Sequence, residues 1–204
     1  MLLLKRRRPN RRINSKSAFK SDSWSRVTHL RPQTRRLLNT LVTLASLLLC
    51  LLILPTRLPG MTLLGIGPNW LLIWVVAWSM KRSPFLGAAA GVALGLIQDG
   101  MTSPLPTHVL SLVIVGILTA RLQKQRYIQE DFISVALIVF GMSLIADLIT
   151  AIQFSFLDQR SLTQIWNDRQ LLALSSAILS SLWAPVVYFP LNVWWGRMKL
   201  IESS

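Results

Sequence analysis

The sequence has little of what reactive or metal-binding sites are built from. Its 204 residues include one cysteine (Cys50), two histidines (His29 and His108), and only eight Asp and Glu against 22 Lys and Arg. One cysteine excludes an internal disulfide framework, and two scattered histidines are too few for a metal cluster. No phosphate-binding loop, dinucleotide-binding fingerprint or zinc signature is present. We therefore predict a protein with no catalytic residues, no metal and no cofactor.

What the chain does have is long apolar sequence, since 52% of its residues are hydrophobic and its mean hydropathy is +0.48. Twelve of the 22 basic residues precede Leu37, and the others lie in short clusters between apolar runs. This arrangement is typical of a polytopic membrane protein with a basic cytoplasmic end. We divide the chain into a disordered basic tail, 1–36, and a membrane domain, 37–200.

The basic tail has two interpretations. Its positive charge can simply hold this end of the chain in the cytoplasm, as the positive-inside rule describes. Alternatively, it binds anionic lipid headgroups or an acidic cytoplasmic partner. Because aromatic residues are not interleaved with the basic ones, we predict no binding of nucleic acid.

Six apolar runs fill the rest of the chain. Their predicted bounds are Leu37–Leu54, Leu58–Met80, Ser83–Gln98, Thr107–Ala120, Phe132–Phe156 and Leu171–Trp195. Lys and Arg alternate between abundant and scarce in successive segments outside these runs, which places both termini in the cytoplasm. The sequence thus predicts an all-α bundle of about six transmembrane helices. We also predict a polar loop over 157–170 and kinks at Pro185 and Pro190.

Small and aromatic residues form stripes on two of the predicted helices. Gly87, Gly91 and Gly95 recur every four residues and so share one helix face, where a neighbouring backbone can approach closely. This seam either packs within the chain or receives a helix of another membrane protein. Trp70, Trp74 and Trp78 also recur every four residues and form a second stripe, which indicates packing and interfacial anchoring, or else an aromatic ligand platform.

Two aspartates fall inside apolar runs, and ionisable groups in a membrane usually face the bundle or a water-filled cavity. Asp99 and Asp147 both lie about 15 residues from the cytoplasmic start of their spans, or ~22 Å. His108 is expected near the same level, after a break at Gly100–Pro106. The three residues are therefore predicted to fasten the turn or join helices through polar pairing. The alternatives are a site for an ion or small molecule, and catalysis.

One segment resembles a known family. The run PFLGAAAGVALGLIQDGMTSPLPTHVLSLVIVGILTARLQKQ is similar to the central part of the MreD rod-shape-determining proteins, which has a glycine-rich helix with a Gly-Leu-x-x-Asp ending, a broken turn and another apolar helix. Gly95, Leu96 and Asp99 match that ending. The resemblance covers roughly 37–200.

The resemblance implies a fold similar to the substrate-binding S-components of vitamin transporters and a non-enzymatic role in cell elongation. It implies an MreC-like single-span partner, with the MreB filament and peptidoglycan synthases in the wider complex. The rival interpretation is a true S-component that binds a small molecule near Asp99, Asp147 and His108. Such proteins dock through alanines four apart in their first span, whereas here Ala45 is that span's only alanine.

Overall fold

The described residues of the computed structural model form six α-helices. The described residues are 32–54, 66–102, 107–124, 131–158 and 162–202. Their side chains are described over 33–54, 66–102, 107–122, 131–157 and 170–199. In chain order the helices are α1 (Pro32–Ile53), α2 (Trp70–Ser79), α3 (Pro84–Met101), α4 (His108–Lys124), α5 (Phe132–Asp158) and α6 (Leu162–Glu202).

The predicted all-α membrane bundle is confirmed by the lengths and composition of these helices. Four of them are long and apolar enough to cross a membrane: α1, α3, α5, and α6 over Gln170–Lys199. The other two, α2 and α4, are apolar but shorter. At about 1.5 Å per residue, the ten residues of α2 span ~15 Å, or half of a typical hydrocarbon core.

Two predicted boundaries are wrong. Residues 32–36, assigned to the tail, form the first turns of α1, and residues 1–31 lie outside the described part of the chain. The predicted polar loop over 157–170 is largely helical, because α5 extends to Asp158 and α6 begins at Leu162. Helix α6 then continues through Pro185 and Pro190. Hydropathy marks where a segment leaves the membrane, whereas a helix can continue beyond that point.

Helix α2 forms the core of the bundle and contacts all five other helices. It is apolar on every side, and nine of its ten residues are buried. The helix begins at Trp70, inside the predicted run Leu58–Met80, because Asn69 caps it by accepting a hydrogen bond from the Leu72 N–H at 3.1 Å. The Asn69 N–H donates to the Ser180 hydroxyl at 2.9 Å. A helix end inside a bundle needs such partners, since lipid supplies none.

The tryptophans join α2 to its neighbours. Trp74 stacks on Trp78 with ring centroids 5.4 Å apart, and Trp78 meets Trp195 of α6 edge-on at 5.5 Å. The Trp74 indole N–H also donates to the Ser46 hydroxyl of α1 at 3.0 Å. These rings are therefore packing residues of the core.

Helix α1 is the most exposed of the four long helices, since only 6% of its apolar window is buried. Its inner face carries Thr43, Ser46 and Cys50, and its outer face carries a row of exposed leucines. The hydrogen bonds of Ser46 with Trp74 and of Thr43 with Trp195 therefore help to hold α1 against the core.

We expect a measurable coupling between Ser46 and Trp74. Ser46→Ala and Trp74→Phe each remove one partner of the same hydrogen bond, so the double variant should lose less stability than the sum of the two single variants. The expected coupling is about 0.6–1.7 kcal/mol, the range for hydrogen bonds between membrane helices. Thermal unfolding of the four proteins in one detergent measures it, and strictly additive losses contradict the interaction.

Candidate functional site

The glycine seam lies between α3 and α4 of this chain. A methyl group built on Gly91 would lie 2.5 Å from the Leu112 carbonyl oxygen, and one on Gly87 would lie 2.5 Å from the Gly116 carbonyl oxygen. A methyl group on Gly95 would overlap Val109. Contacts this short leave no room for a side chain. The two backbones therefore touch at three successive turns, and of the two alternatives for the seam, the described residues form the intramolecular one.

The pairings also fix the direction of the two helices. Gly87, Gly91 and Gly95 rise along α3 while their partners fall along α4, from Gly116 through Leu112 to Val109. The two helices are thus an antiparallel hairpin. In lipid, where apolar surface provides little drive for association, close backbone packing at small residues is the main attractive contribution.

Asp99 caps the N-terminus of α4. Its Oδ1 accepts the His108 backbone N–H at 2.7 Å and lies 2.8 Å from the His108 ring Nδ1. Its Oδ2 accepts the Thr107 hydroxyl at 2.6 Å. The first N–H groups of a helix lack partners within the helix, so a carboxylate at this position satisfies one of them and faces the positive end of the helix dipole. The His108 ring can donate from Nδ1 whether it is neutral or charged.

Hydroxyl groups extend this cap. The Thr107 oxygen accepts the Val109 N–H at 3.2 Å, and the Ser111 hydroxyl donates to the His108 carbonyl at 2.9 Å. The Asp99 side chain is 12% exposed and that of His108 is 29% exposed, so the network is largely shielded. All the donors to Asp99 named above come from the start of α4, which is the arrangement of a structural fastener.

Asp147 lies elsewhere, between α5 and α6. It lines a cavity of about 190 Å³ together with Ile66, Thr150, Ser176 and three apolar side chains. The structure therefore brings Asp99 and His108 together and places Asp147 with a different pair of helices. We propose that Asp147, which is half-buried, is a polar group that helps to join α5 and α6, as its position in an apolar run predicts.

Two contributors to the hairpin were not predicted. Gly116 is the glycine on α4 that completes the seam opposite Gly87, and Thr107 is the hydroxyl that supports the cap. A signal for each exists in the sequence. A lone glycine in an apolar helix suggests close backbone approach, and Thr just before a helix is a favoured capping residue.

Taken together, the short buried helix, the glycine-packed hairpin and the long apolar spans define a polytopic helical membrane protein. The family model described as rod shape-determining protein MreD matches residues 34–192, which is most of the chain. The chain therefore belongs to the MreD family of rod shape-determining proteins. Neither a curated protein nor a solved structure matches it.

The matched residues, 34–192, cover nearly the whole membrane domain over which the resemblance was expected, and the predicted family is confirmed. Family membership supports a role in rod-shape determination and a place in a membrane. It does not favour the transporter alternative. Within the side chains that the structure describes, no group of three or more His, Cys, Asp and Glu could hold a metal ion.

Substituting Gly91 should test the seam against a matched control. Gly91→Ala places a methyl group against the α4 backbone, and such overpacking typically costs about 1–3 kcal/mol. Gly141 lies in the middle of α5, and a methyl group at that position would have nothing within 4 Å. Gly141→Ala should therefore be neutral or stabilising, because Ala favours helix more than Gly by up to about 1 kcal/mol. Thermal unfolding in detergent compares the two, and equal effects would contradict the packing.

Two substitutions at Asp99 should separate capping from charge. Asp99→Ala removes the acceptor for the His108 N–H and should destabilise the protein by about 0.5–2 kcal/mol, the usual cost of losing a cap. Asp99→Asn keeps one oxygen acceptor, so its loss should be clearly smaller. Thermal unfolding at neutral pH checks the order, and an Asn variant as unstable as the Ala variant argues that the charge itself is needed.

Proposed function

We propose that this protein is a non-enzymatic subunit of the cell-elongation machinery that packs against the transmembrane helix of an MreC-like single-span partner. The observation that carries the proposal is the family match over residues 34–192. The MreB filament and peptidoglycan synthases belong to the wider complex, and the role of the subunit is to support peptidoglycan synthesis and so regulate cell shape.

The partner's position follows from the two faces of α3. One face carries the glycine seam, which α4 already covers. The opposite face, which we call the outer α3 face, consists of Phe85, Ala89, Ala93 and Leu96, all exposed in this chain. Residues two apart in a helix point about 200° apart, so the outer α3 face lies opposite the glycines. A partner that packs on α3 therefore meets the outer α3 face.

The composition of the outer α3 face suits a transmembrane helix. Ala89 and Ala93 are four residues apart, a small-xxx-small spacing that lets a second backbone approach closely in lipid. Phe85 and Leu96 are 82% and 60% exposed, so large side chains flank the small ones. A helix packed on the two alanines would gain dispersion contacts from the flanking Phe85 and Leu96 side chains. The glycine seam contributes indirectly, because it holds α3 rigidly against α4.

The orientation of the chain is part of the proposal. Asn39, in the first half of α1, lines one cavity with Met198 and Lys199 near the end of α6, so the beginning of α1 and the end of α6 lie at the same end of the bundle. Lys81 and Arg82 follow α2 and belong to that end as well. The positive-inside rule assigns it to the cytoplasm, and we infer an inner-membrane protein with both termini cytoplasmic. The basic tail, outside the described residues, would then lie near anionic lipids of that leaflet.

Enlarging the outer α3 face should release the partner. Ala89→Leu and Ala93→Leu each insert bulk where a second helix packs, at a cost of about 1–3 kcal/mol, which corresponds to a loss of roughly fivefold or more in affinity. Ala45→Leu is the matched control, because Ala45 is exposed on α1. Co-purification of a co-expressed MreC-like protein measures the effect.

The stability of each variant separates a lost contact from a lost fold. The α3 variants should unfold at the parent temperature, since Ala89 and Ala93 are exposed and none of the described residues covers them. Gly91→Leu, in contrast, should lower that temperature, because it forces α3 from α4. If Ala89→Leu and Ala93→Leu both co-purify the partner as well as the parent does, with the partner present in the membrane, the outer α3 face is not the docking surface.

A further inference from the structure

A cavity of about 110 Å³ lies at the end of the bundle opposite Asp99, where α1, the α2–α3 connection and the end of α6 meet. Its lining is formed by Asn39, Lys81, Arg82, Trp195, Met198 and Lys199. We call it the basic cavity. Neither the hairpin nor the outer α3 face involves it.

The basic cavity brings three cations together on an apolar floor. Trp195 and Met198 are buried, at 6% and 2% exposure, whereas Lys81 and Arg82 are half-buried and Lys199 is exposed. Among the lining residues whose side chains the structure describes, none is a carboxylate. Like charges that converge on a partly desolvated space repel one another, and an anion placed between them relieves that repulsion.

The guanidinium of Arg82 is held in a defined position. Its central carbon lies 4.3 Å from the centre of the Trp78 ring, which is a cation–π contact. A cation–π contact requires no N–H···O bond from the guanidinium, so its N–H groups can still donate to an oxyanion. Arg82 is thus oriented by the same tryptophan that packs against Trp195.

Topology explains part of this arrangement. Basic residues are common at the cytoplasmic ends of membrane helices, and the ends of α2 and α6 attract cations through their dipoles. Neither effect requires cations from two distant parts of the chain to line one partly open cavity. Their convergence, with Asn39 as a further polar group, is what indicates a ligand.

We propose that the basic cavity binds a phosphate group, as presented by the headgroup of an anionic phospholipid. At roughly 30 Å³ per water molecule, its volume equals that of three or four waters, which is enough for a tetrahedral phosphate. Arg and Lys are the usual donors to phosphate, and basic pockets between helices at the cytoplasmic side bind lipid headgroups. A buried tryptophan beside the site is in keeping with the interfacial level.

Native mass spectrometry of the full-length protein with phosphatidylglycerol or phosphatidylcholine tests the proposal. The parent should bind phosphatidylglycerol in preference, and Arg82→Gln should weaken that binding by about tenfold, as expected for one charge-assisted hydrogen bond. Arg121→Gln is the matched control, because Arg121 is an exposed arginine near the end of α4, a helix that does not line the cavity. Lys199→Gln, at an exposed position, provides a second variant that leaves the Trp78 contact intact.

Inorganic phosphate identifies the source of the group. If millimolar phosphate does not displace the lipid from the parent, the headgroup is the ligand; if it does so through Arg82 and Lys199, the same site serves a soluble phosphate compound. Equal binding of the two lipids by the parent overturns the proposal. An equal loss in Arg82→Gln and Arg121→Gln overturns it too, because general surface charge then explains the binding.

Discussion

The close approach of α3 and α4 is the constraint on which the rest of the bundle depends. Three glycines on α3 meet Gly116, Leu112 and Val109 of α4. No side chain larger than hydrogen fits at the three glycine positions. In water, such a pair could be held together by burying apolar side chains. In lipid that gain is small, so shape and backbone proximity must hold the hairpin. The same register then brings Asp99 to the start of α4, where its carboxylate caps the helix.

The short helix α2 shows why a firm hairpin is needed. A ten-residue helix cannot cross the membrane, and its polar backbone ends must therefore be enclosed by protein. The hairpin covers one side of it: the Ser79 hydroxyl, at the end of α2, lies 3.0 Å from where a methyl group on Gly87 would be. Helices α1, α5 and α6 cover the others, with Ser180 providing the hydrogen bond at the N-terminus. The core is thus a helix of half the membrane thickness, and the other helices enclose its ends and sides.

The sequence predicts faces better than it predicts what covers them. The four-residue repeat of glycines was enough to expect a close backbone contact. It could not predict which helix makes that contact, because periodicity defines a helix face and does not identify the neighbour that packs on it. Asp99 as a fastener of the broken turn was among the predicted alternatives, while its cap on His108 depends on the packing of the hairpin. The first turns of α6 were missed because residues 162–170 are mostly polar, and a polar sequence can still be helical.

The charges at the two ends of α3 match the dipoles of the neighbouring helices rather than the dipole of α3 itself. Lys81 and Arg82 precede its N-terminus, and Asp99 lies near its C-terminus, so both ends have the sign that its own dipole disfavours. The cations, however, follow the C-terminus of α2, and Asp99 faces the N-terminus of α4, where each sign is favourable. Tertiary contacts therefore determine these positions. The Asp99 carboxylate accepts hydrogen bonds from the start of α4, and the cations line a cavity with α1 and α6, where the convergence of basic groups supports the proposed binding site.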